Sequence, residues 1–238
     1  MPLAPSTVLN SYDWIERFYQ RACRPEVSWG AAKRLPYAER SAAARSLQEF
    51  ARNENGSGEW VVDWAREIAA RNGDRGFIWA FRLFLRDECR QGWLVNRLLD
   101  QLGMPHSRGS WVDFVLRMIG KLRMPSLYLH VLAGVEVVSR SYYRALGDAT
   151  ESDVIRQICK RLAEEQDAHV EFTAFAIPLM HPSRTRLAQS SIQAAHRAFV
   201  FAALLRVWLR HSPVFHKSGR TFRGVWKETM SALDTTAR

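Results

Sequence analysis

Cysteine is scarce in this chain: Cys23, Cys89 and Cys159 are the only three among 238 residues, and none stands in a CxxC spacing. An odd, unpaired set argues against a disulfide framework and a thiolate zinc site, and it points to a reducing compartment. Proline and glycine are also few, nine and thirteen. No run alternates polar and apolar residues in the way a half-buried strand does. Long hydrophobic runs are missing as well, since the longest, Ala198 to Leu205, falls far short of the roughly 20 residues a spanning helix needs. The opening MPLAPSTVLNSYDWIERF has no basic segment followed by an apolar one, so no secretory signal is expected. These absences lead to the expectation of a soluble cytoplasmic protein without a transmembrane segment.

Acidic charge is in the minority, 24 Asp and Glu against 34 Lys and Arg, for a net charge of +10. A basic surface can attract nucleic acid, anionic lipid or an acidic substrate. No block of Lys and Arg interleaved with aromatics occurs, however, and no nucleic-acid motif is present, so no nucleic-acid partner is expected. Hydrophobic residues make up 47% of the chain, and nine Trp and twelve Phe are spread along most of it. That is enough for a sizeable core, and it argues against disorder. The abundance of Ala, Leu and Arg favours helix over strand. The expected fold class is all-α, in a single domain spanning 1–238.

Periodicity places the helices. Trp14, Phe18 and Tyr19 recur at helical spacing between Ser11 and Cys23. A second helix starts near Tyr37 with Ala44, Leu47 and Phe50 on one face, and Trp60 to Ala70 resumes the pattern after Asn53-Glu-Asn-Gly-Ser-Gly58, a segment that reads as either turn or helix. A strong helix runs from about Arg75 to Leu102, stopped by Gly103 and Pro105. Ser110 to Leu122 reads as a shorter amphipathic helix with Trp111, Phe114, Val115, Met118 and Ile119 on one side, placed as a crossover between bundle halves. Pro125 opens a helix that Gly147 is expected to close, and Asp153 to about Ile177 precedes the stop signals Pro178 and Pro182. Arg184 to His211 and, past Pro213, about Arg223 to Leu233 complete the pattern. The core bundle is expected over about 37–180, with C-terminal helices over about 183–236.

Two helical segments carry polar pairs at the same spacing: Glu88-Cys-Arg-Gln91 and Gln166-Asp-Ala-His169. Residues three apart share a helix face, so each pair can point inward among apolar neighbours. Glu88 lies on the side of Phe81, Phe84 and Val95, where a carboxylate is costly unless paired or bound to metal. The plainer alternative is a surface acid beside Asp87 and Arg90. Glu136 shares its side with Leu129, Leu132, Ala133 and Tyr143, and no other acid occurs between Asp113 and Asp148. Its plainer alternative is an intrahelical pair with Arg140 at i+4. His169 lies with Leu162, Gln166, Phe172 and Ala176, as either a hydrogen-bonded core histidine or a ligand. Carboxylates converging with imidazole suit iron or manganese.

The stretch from roughly residue 8 to 180 resembles the ferritin-like di-iron carboxylate family of helical-bundle oxidases and oxygenases. SLQEFARNENGSG resembles the first-helix segment that supplies a Glu, LFLRDECRQGWL the EExxH helix, LAGVEVVSRSYYRAL the third helix with its single Glu, and ICKRLAEEQDAHVEF the DExxH helix. The resemblance implies a four-helix bundle with added N- and C-terminal helices, and metal ligands Glu54, Glu88, Glu136 and His169. Gln91 stands where the family has His, and Gln166 where it has Glu. The first-helix ligand matches Glu54 or else the position held by Ser57. Gln91, Gln166 and Ser57 are then expected to line the site. With one negative charge and one nitrogen donor fewer than the usual pair of irons requires, the second metal should bind much more weakly.

Three functional classes remain open at this level. The first is an oxidoreductase using O2 and an altered one-metal, or weakly two-metal, iron or manganese site on a small, largely apolar molecule, with Glu88, Glu136 and His169 as the working residues. The second keeps the bundle without metal, for acid-base or cyclisation chemistry or for ligand binding. An interaction or scaffold protein is the third, in which FVFAALLRVWLRHSPVF packs in the core by default, or else in a homodimer or on a membrane surface.

Overall fold

The computed structural model describes residues 9–25, 27, 29, 37–50, 59–106, 111–180 and 186–236. Over these the chain is all-α, with nine helices and no strand. They are α1 (Ser11–Ala22), α2 (Tyr37–Phe50), α3 (Glu59–Asn72), α4 (Gly76–Gln101), α5 (Trp111–Lys121), α6 (Pro125–Ala149), α7 (Asp153–Met180), α8 (Arg186–Lys217) and α9 (Phe222–Thr236).

Local chemistry sets several ends. Asn10 caps α1, its Oδ1 accepting from the Tyr12 and Asp13 amides, while Asp13 Oδ2 accepts from the Asn10 amide at 2.8 Å. Gly103 stops α4 with φ +67°, a left-handed turn that lets the Met104 amide reach back to the Leu99 carbonyl.

Three expected boundaries are corrected. Gly147 does not close α6, which continues to Ala149; a Cβ there would stand 3.3 Å from that of Cys159, so the glycine serves the close approach of α7. Pro178 lies inside α7, which runs on to Met180. The expected end at His211 coincides with a non-helical kink, but the chain then resumes as helix through Pro213 to Lys217. Pro213 falls in the first turn past that kink, where a missing amide N–H costs little, and Phe215 beyond it is fully buried and stacked on Trp208 with centroids 4.8 Å apart. In α5 the expected face is also rotated: Leu116 and Ile119 are buried against the bundle, whereas Phe114 and Met118 are exposed.

α6 is the central helix, packed against α7 and α8 along its length and touching α5 and α9, while α4 packs against α1, α2, α3 and α7. Arg144 ties α6 to both flanking helices, pairing with Asp167 of α7 and Glu228 of α9. Two apolar clusters fill the interior. One is aromatic, built on Phe18, Phe77, Phe81, Phe84 and Phe172; the other is aliphatic, built on Leu94, Leu98, Val137, Leu162 and Leu204. The seam between them runs across α4 between Leu85 and Leu94, and across α6 between Val135 and Val137.

α8 packs one face inward through Val200, Leu204 and Val207, as expected of a core segment, and leaves Phe201 and Leu209 exposed. The expected eight-residue run sits inside a longer stretch, Gln189–Lys217, that is long and apolar enough by length and composition to cross a membrane.

Candidate metal centre

The seam holds polar side chains from three helices. Asp87, Glu88 and Gln91 of α4, Glu136 of α6, and Glu165, Gln166 and His169 of α7 are all buried. Removing a charge from water costs several kcal/mol per ion, so these carboxylates must be compensated inside the protein.

His169 is the hub and is fully buried. Its Nε2 lies 3.0 Å from Asp87 Oδ2, and its Nδ1 lies 2.5 Å from Glu88 Oε1 and 3.6 Å from Glu136 Oε2. Gln91 Nε2 stands 3.4 Å from the same Nδ1, and Gln166 Nε2 donates to Gln91 Oε1 at 2.7 Å. Behind this layer Arg90 donates to Asp87 Oδ1 at 2.5 Å and to Glu165 Oε1 at 2.7 Å, and Arg161 donates to Glu165 Oε1 at 3.2 Å. Phe84 meets the His169 ring edge-on at 5.0 Å and Phe18 lies at 6.3 Å, so the aromatic cluster walls the imidazole from solvent.

Electrostatics follow from these contacts. Burial by itself lowers the His169 pKa, but the hydrogen bonds and charges of Asp87 and Glu136 outweigh it and raise the imidazole above its ordinary value. Burial raises Asp87, yet its bond to His169 and the charges of His169 and Arg90 bring it down to about 2. Glu165 moves the other way: burial pushes it up, with Asp87 adding to the rise, and Arg90 only partly offsets this.

The structure brings Glu88, Glu136 and His169 together, with one donor atom from each within 4.8 Å of the others. Gln91 and Gln166 join them as a hydrogen-bonded pair. A surface position for Glu88 is excluded by its burial, and Arg140 pairs with Asp167 of α7, Nε to Oδ1 at 2.5 Å, while Glu136 turns to His169. Glu54 and Ser57 lie outside the described residues, as does the conformation of 53–58. Asp87 and Glu165 are the residues that sequence reasoning missed. A signal existed for both: Asp87 precedes Gln91 by four and Glu165 precedes His169 by four, the spacing that shares a helix face.

Two carboxylates and an imidazole form a donor set suited to iron or manganese. Donors about 2.1 Å from an octahedral cation stand about 3 Å apart, and the spacings of 2.5 and 3.6 Å around Nδ1 bracket that value. Asp87 on the far nitrogen matches the way metal-bound histidines are held by a carboxylate. The set fits one cation. With Gln91 and Gln166 in the neighbouring positions, the described residues supply no second cluster of three ionisable donors.

Comparison with protein-family models, with curated proteins and with solved structures gives no match.

Proposed function

We propose that this chain is a ferritin-like helical-bundle oxidoreductase that holds one iron or manganese ion between Glu88, Glu136 and His169 and acts on a small, largely apolar molecule. The observation that carries the reading is the convergence of three donor atoms from α4, α6 and α7 within 4.8 Å, in a buried seam between two apolar clusters. When bound, the metal supplies the activation of O2. The chain's own residues do the rest. Asp87 accepts from Nε2 and turns Nδ1 toward the centre, Glu88 and Glu136 supply the negative charge, and Phe18 and Phe84 keep water from the imidazole. Gln91 and Gln166 bond to each other and add no charge, which favours one divalent cation over two.

The test is elemental analysis of protein produced with added iron and manganese and then desalted. About one metal per chain is expected, and none in His169→Ala; stoichiometric metal that survives this substitution would overturn the assignment.

A second reading rests on a separate observation, that the carboxylates around His169 raise its pKa and so favour its protonated form. An imidazolium between Asp87, Glu88 and Glu136 offsets one of their three negative charges, and it could hand a proton to a ligand without O2. Turnover that persists after chelation and under argon would favour this reading over the metal-dependent one.

A further inference from the structure

A cavity of about 630 Å³ opens at one end of the molecule between α3, α6, the last turn of α7 and α8. It shares no residue with the His169 cluster. On α6 it reaches only Val131, about 8 Å short of Glu136 along the helix, and on α7 only Met180, about 16 Å beyond His169. Its walls are hydrocarbon, from Trp64, Ile68, Leu127, Val131, Ile192 and Phe199. A volume of this size falls within the range of small-molecule sites, roughly 300–1,000 Å³.

The charged lining is one-sided. Among the described lining residues Arg71, which is exposed, is the single arginine, and no lysine, aspartate or glutamate stands with it. Its guanidinium is held in place because Nη2 donates to the Leu179 and Met180 carbonyls at 2.9 and 3.0 Å. Among the described residues nothing bonds to its Nε or Nη1. Pro125, Ser126 and Leu127, the first turn of α6, also line the cavity, so the positive end of a 25-residue helix looks into it. His196, on the α8 wall, is kept neutral by burial and by the neighbouring His130, and adds no competing charge at pH 7.

We propose that this cavity binds a carboxylate-headed amphiphile, with its hydrocarbon tail between α3, α6 and α8 and its carboxylate at Arg71. Charge complementarity selects the head group: an ammonium head finds no acid among the described lining residues, whereas a carboxylate finds a fixed guanidinium and a helix N-terminus. The tail contributes through burial, about fourfold in affinity per methylene, or about 0.8 kcal/mol, until the cavity is full. The proposal is independent of the metal centre, and metal content neither supports nor weakens it.

The experiment is isothermal titration of the full chain at pH 8 with sodium dodecanoate and with dodecan-1-ol, both below their aggregation limits. Dodecanoate is expected to bind one per chain, at least about tenfold tighter than the alcohol. Arg71→Gln should remove that preference and leave the alcohol's affinity unchanged, so a folding defect is separable from a lost head-group contact. Ala195→Trp, at an exposed lining position on α8, should fill the space and weaken both ligands. Equal affinities in the unaltered chain, a preference that survives Arg71→Gln, binding untouched by Ala195→Trp, or no saturable binding of either ligand would each overturn the proposal.

Discussion

Asp87 Oδ2 lies 3.0 Å from His169 Nε2, on the side of the imidazole opposite Glu88 and Glu136. This contact fixes which nitrogen faces the carboxylates, and Arg90 fixes Asp87 in turn. Asp87→Asn keeps the shape and removes the charge. It should weaken iron or manganese binding by about 10- to 100-fold while the helical circular dichroism stays unchanged. A metal titration with unaltered affinity would show that Asp87 has no part in holding the ligand.

Glu165 is a buried acid shared by Arg90 and Arg161, which are themselves 22% and 15% exposed. Glu165→Ala leaves Arg161 without its carboxylate and Arg90 with Asp87 alone. Urea unfolding should register a loss of about 2–3 kcal/mol, moderated by the partial exposure of the arginines. Glu165→Gln should cost less, because burial already pushes this carboxyl toward its neutral form. Equal losses for the two variants would mean that the charge of Glu165, and not its hydrogen bonds to the arginines, carries the effect, against the neutral bias that burial gives it.

Stability should depend on pH through His196. Its folded pKa is pushed down to about 4, first by burial and then by the charge of His130, below the ordinary value of 6.5. Between these values the unfolded chain binds more protons, so stability is fully present above about pH 6.5 and is lost as pH falls toward 4. The loss is on the order of 2 to 3 kcal/mol. In His196→Gln, denaturation curves measured from pH 7 to 4 should be flatter by that amount, and an unchanged pH slope would remove His196 as the cause.

Gly134 marks a close approach of α8 to α6. A Cβ there would stand 3.0 Å from the Phe199 ring and from Val200 Cγ2. Overpacking of this kind typically costs 1–3 kcal/mol, against a helix-propensity gain of about 1 kcal/mol for Ala over Gly. Gly134→Ala should therefore be destabilised by about 1 kcal/mol, and Gly134→Val by more than 2. Thermal melts in which Gly134→Ala gains stability would mean that α8 yields freely.

The helices, and half of the site, were legible in the chain. Trp14, Phe18, Ala44 and Leu47 sit in the core as their spacing implies, and the pairs Glu88/Gln91 and Gln166/His169 face inward because residues three apart share a face on any helix. Which polar groups meet was not legible. That Arg140 takes Asp167 and leaves Glu136 to His169 depends on the rotation of α6 against α7, and that Asp87 and Glu165 are buried depends on how α4 and α7 close over them. Helix ends at proline and glycine failed for a related reason. Gly147 and Pro178 are local stop signals, and both lie inside helices that tertiary packing carries past them. The sequence by itself determined secondary structure and the inward direction of each polar pair, since both follow from contacts within a few residues. Only the tertiary structure decided the partners, the protonation bias of His169 and the cavity at Arg71, because these depend on distances between segments far apart in the chain.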